Sequence, residues 1–171
     1  KLMDLKSKII LISGPTASGK SKFAIQLAKK INGEVINADS MQIFKELKIL
    51  TARPQLKNLK NIKHHLYGFK SVKDIYSTGN WLKDAKLKIN NIKKKSKIPI
   101  LVGGTGLYFK ALIDGIVKIP DIPFTFRNRI RKKQSKIGQT KFYSELIKLD
   151  PLCKKKINKN DTQRSIRAYE V

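Results

Sequence analysis

Residues 14–21 read Gly-Pro-Thr-Ala-Ser-Gly-Lys-Ser, the pattern G-x-x-x-x-G-K-[ST]. This run constrains the fold more than any other, because it works only between a buried strand and a helix. Both flanks meet that demand. Residues 9–13 (IILIS) form a short β-branched apolar run, as a buried parallel strand does. Phe23, Ala24, Leu27, Ala28 and Ile31 then recur at helical spacing. The glycines let backbone N–H groups converge on a phosphate, and the helix N-terminus adds positive potential. Lys20 would neutralise the terminal phosphate, and the Ser21 hydroxyl could ligate Mg²⁺. Gly14, Pro15, Thr16, Ala17, Ser18, Gly19, Lys20 and Ser21 are thus the expected phosphate-binding residues.

The pattern continues along the chain. Residues 34–37 (EVIN) predict a second strand, with Asp39 just past its end. Residues 40–77 hold Pro54, His64, His65 and Gly68 and predict loops with short helices. From Gly79 to Lys95 the apolar positions Trp81, Leu82, Ala85, Ile89 and Ile92 predict a helix with a lysine-rich outer face. Residues 98–102 (IPILV) predict a third buried strand closed by Gly103 and Gly104, and residues 107–113 a helix stopped by Gly115. Strand, loop and helix alternate. The expected class is therefore α/β, a P-loop NTPase-like parallel sheet with flanking helices.

After Pro120 the character changes. No acidic residue stands between 122 and 144, but Arg127, Arg129, Arg131, Lys132, Lys133, Lys136 and Lys141 do. The expected organisation is a P-loop core over 1–119, a basic helical insertion over 120–160, and a return towards the core over 161–171. The chain begins at Lys1 and stops at Val171 within a helical pattern, as a fragment of a longer protein would. No apolar run is long enough to span a bilayer. The one cysteine, Cys153, cannot form an internal disulfide. A cytoplasmic monomer with no membrane partner is expected. With 38 basic against 12 acidic residues and a net charge of +26, the chain suits a polyanionic partner such as RNA. A genome-wide lysine bias would give the same excess.

A phosphate loop does not name a reaction. Nucleotide-hydrolysing relatives of this motif carry a carboxylate at the end of a later strand, but the third strand here ends in Val102-Gly103-Gly104-Thr105. The carboxylate is Asp39, after the second strand. Both strand ends should face the crevice at the carboxyl edge of the sheet, bringing Asp39 and Thr105 beside a bound anion. Asp39 reads equally well as the N-cap of a short helix over 40–44. His64 and His65 lack further ligands for a metal and, as neighbours on a strand, point to opposite faces. Trp81 reads as core.

Five segments taken together resemble the tRNA dimethylallyltransferase (tRNA isopentenyltransferase) family. They are GPTASGKS, NADSMQIFK at 37–45, TARP at 51–54 with HHL at 64–66, GGTGLYFKALIDG at 103–115, and DTQRSIRAYEV at 161–171. The resemblance implies transfer of a dimethylallyl group from dimethylallyl diphosphate to N6 of an adenosine on the 3′ side of the anticodon. The loop would then hold the donor's pyrophosphate, with Mg²⁺, rather than ATP. Asp39 would be the general base and Thr105 a further catalytic contact. The anticodon loop of tRNA would meet Asp39, Ser40, Met41, Gln42, Thr105, Arg127, Gln163, Arg164, Ser165, Ile166 and Arg167. Leu50, Arg53, Phe44 and Tyr169 depart from the family's common residues.

Two other functions fit parts of the pattern. A nucleoside or small-molecule kinase would bind ATP and use Asp39 to activate a hydroxyl, with residues 127–133 as a lid. A non-catalytic RNA-binding module would keep the charge and ignore loss of Asp39.

Overall fold

The computed structural model describes residues 8–47, 53, 62–117, 119 and 122–171. These fall into two compact units, 1–116 and 117–171, so the division lies three residues before the expected boundary. Leu50 and the 51–54 segment, apart from Arg53, lie outside the described residues.

The first unit is built on a parallel sheet. Its strands are β1 (Ile10–Ser13), β2 (Gly33–Asn37), β3 (His64–His65) and β4 (Ile98–Gly103), in the order β1-β4-β2-β3. β4 sits between β1 and β2, pairing Ile12 with Val102 on one side and Asn37 with Val102 on the other. The helices are α1 (Lys20–Ile31), α2 (Thr78–Lys93) and α3 (Gly106–Asp114). β2 and β4 are buried at every position, the mark of a sheet covered on both faces. Strand alternation sorts their side chains. Val35, Ile100 and Val102 pack with Ala24 and Ala28 of α1, while Ile36 and Leu101 pack with α2 and α3.

All five predicted apolar positions of α2 are buried. Its start is fixed by a capping box in which Ser77 and Asn80 satisfy one another's backbone N–H groups. The α1 reading needs one correction. Phe23 is 56% exposed, and Ile25 is buried in its place. The small Ala24 and Ala28 carry α1 against the sheet, and this turns Phe23 outward. Residues 40–47 form turns rather than a short helix, laced to residues 68–70 by backbone bonds such as Phe69 N–H to Ile43 O at 2.9 Å.

The second unit holds α4 (Phe124–Ile137), α5 (Gln139–Leu149), the single turn α6 (Cys153–Lys156) and α7 (Thr162–Glu170). Phe142 of α5 stacks on Tyr169 of α7 at 4.9 Å. Lys133 of α4 binds both Glu145 at 2.7 Å and the Tyr169 hydroxyl at 2.6 Å, joining the three helices. Within residues 161–171, read from sequence as a return towards the core, α7 packs on α4 and α5. Cys153 is buried, its thiol donating to Asp150. No helix among the described residues is long and apolar enough to cross a membrane.

Candidate functional site: a phosphate loop facing a carboxylate

β1 ends at Ser13 and α1 begins at Lys20, so residues 14–19 are a tight connection. Gly19 makes the last turn at φ +81°, and Ala17 sits at φ +64°, a left-handed backbone that glycine adopts without strain and alanine does not. Lys20 Nζ donates back to Pro15 O. No side chain caps α1, and its first turn holds no acidic residue. Helix-end N–H groups need a partner, and these are left for an anion.

The loop forms one wall of a cleft of about 460 Å³. It is lined by residues 16–22 together with Asp39, Met41, Gln42 and Leu47. Asp39 therefore faces the phosphate loop, as its place after β2 predicts. It caps a turn rather than a helix, its Oδ1 accepting from Met41 N–H at 2.9 Å. Burial pushes the Tyr108 phenol up to about 12, with the Asp39 charge adding to the effect. Burial and then the same charge also hold the Tyr67 phenol well above the ordinary range. Ser21 and Asp39 line the same cleft, and their side-chain oxygens are donors of the kind that suits Mg²⁺. Among the described residues no group of three or more His, Cys, Asp or Glu could hold a metal by itself, so water and the oxygens of a bound anion would complete its shell.

Thr105 lies at the end of β4 and serves the neighbouring loop. Its Oγ1 accepts from Ser40 N–H at 2.9 Å and donates to Ser40 Oγ at 3.3 Å, and its own N–H donates to Ala38 O at 3.3 Å. The approach of β2 and β4 here depends on Gly103, where a Cβ would lie 2.0 Å from Ala38 O.

Two groups read as unremarkable in the sequence are specifically paired. Glu34, fully buried in β2, is bound by His65 Nε2 at 2.7 Å and Lys97 Nζ at 3.0 Å. Its burial alone would raise the carboxyl. The bonds from His65 and Lys97, with their charges, outweigh that and hold it below the ordinary value. His64 is separate, bonded to Ile62 O at 2.8 Å. Asn37, also fully buried, is bonded on both sides of Asp39.

In the second unit Gln163, Arg164 and Arg167 are exposed. Arg164 pairs with Asp161 at 3.3 Å and Arg167 with Glu170 at 3.1 Å. Arg127 is half-buried, and its Nε has no hydrogen-bond partner among the described residues. Ile166 is half-buried. Ser165 is fully buried, its hydroxyl donating to Asp161 O and accepting from Gln139. It offers no surface to RNA, because that face of α7 turns into the helical packing.

The parallel sheet with flanking helices, the glycine turn and the uncapped helix define an α/β protein of P-loop NTPase-like fold. A family model described as IPP transferase matches residues 42–171. The chain is 66% identical over 169 residues to the tRNA dimethylallyltransferase of Pelagibacter ubique, covering 99% of this chain and 54% of that relative. Among solved structures, the full-length tRNA isopentenylpyrophosphate transferase of Bacillus halodurans superposes with a TM-score of 0.64 at 34% identity, over 95% of this chain and 54% of that one. A eukaryotic dimethylallyltransferase captured acting on tRNA gives 0.79 at 32% identity, over 93% and 40%. The chain belongs to the IPP transferase family, and it spans about half the length of the curated relatives it matches.

Proposed function

We propose that this chain carries the donor-binding and proton-accepting parts of a tRNA dimethylallyltransferase. The observation that carries the proposal is the shared cleft: residues 16–21 of the loop and Asp39 line one cavity. The loop N–H groups and Lys20 hold the diphosphate of dimethylallyl diphosphate and neutralise it as it leaves. Mg²⁺, held by the Ser21 hydroxyl and the diphosphate, would add to that neutralisation.

The bond between the allylic carbon and its diphosphate oxygen breaks as the adenosine N6 bonds that carbon. The proton on N6 passes to Asp39, and pyrophosphate leaves. An exocyclic adenine nitrogen is a poor nucleophile because its lone pair is delocalised, so a carboxylate within hydrogen-bond reach matters. Met41 N–H holds Oδ1, and Oδ2 is the proposed accepting oxygen.

Asp39, Ser40, Met41, Gln42 and Thr105 are the proposed tRNA contacts of the first unit. Arg127, Gln163, Arg164, Ile166 and Arg167 are those of the second. Monomeric action in the cytoplasm belongs to the same proposal. Bases in a loop leave their stack more easily than bases in a duplex, which suits an anticodon-loop substrate.

The test incubates the full-length enzyme with labelled dimethylallyl diphosphate, Mg²⁺ and unmodified tRNA, and separately with ATP and nucleosides. Label enters tRNA, and no phosphoryl group reaches a nucleoside. Lys20→Ala removes labelling, and Asp39→Ala lowers it to a slow residual rate while keeping donor binding. Full labelling in either variant refutes the role given to that residue.

A further inference from the structure

Asn37 is the last residue of β2, fully buried and paired in register with Val102. Its side chain makes three hydrogen bonds. Oδ1 accepts from Asp39 N–H at 2.9 Å, and Nδ2 donates to Asp39 O at 2.9 Å and to Leu66 O at 3.0 Å. Its own carbonyl accepts from the buried Trp81 indole N–H at 2.9 Å. Both backbone polar groups of Asp39 are therefore gripped by one amide.

We propose that Asn37 is a positioning residue that aims the Asp39 carboxylate into the cleft. This rests on Asp39 being the proton acceptor.

Three observations carry the inference beyond a generic turn. An asparagine commonly bonds the N–H two residues on, but this one also holds the carbonyl of that residue, which removes the peptide rotations that would swing the side chain. The partner Leu66 sits at φ +63°, a left-handed backbone that is strained for a leucine. Strain of that kind persists where surrounding structure over-determines it, and here the strained carbonyl is one that Asn37 binds. Finally, the main chain that carries the amide is itself held. Trp81 is fully buried and stacked on Tyr108 at 4.2 Å, and its N–H fixes the Asn37 backbone. One carboxylate oxygen is tied by Met41 N–H, so with the Asp39 backbone clamped little freedom remains to the other.

No apolar or purely accepting side chain can replace this arrangement. Alanine leaves the Leu66 and Asp39 carbonyls without their donor. A carboxylate in the same place would face both carbonyls with oxygen.

The experiment uses full-length enzyme in single-turnover labelling of tRNA, with donor affinity and melting temperature measured on the same samples. Asn37→Ala is expected to lower the transfer rate about 100-fold, the usual scale of a small misplacement of a reacting group, with donor affinity within about 3-fold of the parent. Should Asn37→Ala not fold, Asn37→Ser, which keeps one short polar group, carries the same expectation. In the double variant with Asp39→Ala the loss equals that of Asp39→Ala alone, because residues acting as a unit are not additive. An unchanged rate in the Asn37 variants, a matching loss of donor affinity, or a double variant slower by the product of the two single losses overturns the proposal. Full labelling by Asp39→Ala alone sinks the general-base reading instead, whatever Asn37 does.

Discussion

The Thr105 hydroxyl accepts the Ser40 backbone N–H at 2.9 Å, across 65 residues of chain. It thereby ties the end of β4 to the turn that carries Asp39. Thr105→Val keeps the shape and leaves that N–H without its partner, at a cost of about 1–3 kcal/mol. We expect slower transfer with donor affinity retained, while Thr105→Ser restores the rate. Single-turnover labelling of both variants checks this.

Gly103→Ala tests the approach of the two strand ends. The added Cβ meets the backbone of Ala38, so nothing flexible can yield. Destabilisation of about 3 kcal/mol or more is expected, with loss of transfer. The drop in melting temperature against Gly104→Ala, whose nearest atom is 3.5 Å away, is the measurement.

The Glu34 carboxyl lies below its ordinary value in the folded protein. It therefore contributes stability that is present above the unfolded value of about 4.3 and disappears as pH falls through the lower folded value. Glu34→Gln should cost about 2 kcal/mol at neutral pH, and the gap to the parent should narrow as pH falls below the unfolded value. Denaturant titrations at several pH values read this out. A gap that widens on acidification would contradict the assignment.

Binding of tRNA should weaken steeply with salt, since phosphate neutralisation releases counterions. Arg164→Ala should reduce the steepness of the log–log plot by about 0.7–1, one phosphate contact, with no change in melting temperature beyond that of losing its exposed pair with Asp161. Ser165→Ala should leave the slope unchanged and lower stability instead.

The phosphate loop, β2, β4 and the buried face of α2 were legible because each has a pattern of its own: glycine spacing, continuous apolar runs, or a helical period. The place of Asp39 at the cleft was legible because strands of one direction expose their ends at one edge; Thr105, expected beside the same anion, is not among the residues that line the cleft and bonds Ser40 instead. What stayed hidden depends on partners distant in sequence. Glu34 looks like a surface charge until topology brings His65 and Lys97 to it. Asn37 looks like a polar strand end until Leu66 and Trp81 arrive. β3 is two residues long, too short for any period to show. The exposure of Phe23 and the burial of Ser165 follow from which face of a helix meets its neighbours, and local spacing leaves that choice to packing.

On the proposed reading, the bare start of α1 makes the donor part of the helix. Its diphosphate would supply the cap that no side chain provides, so occupancy should firm up α1 and raise the melting temperature. Pyrophosphate, once released from the prenyl group, satisfies the same N–H groups as the intact donor. The product should therefore compete with the donor for the loop.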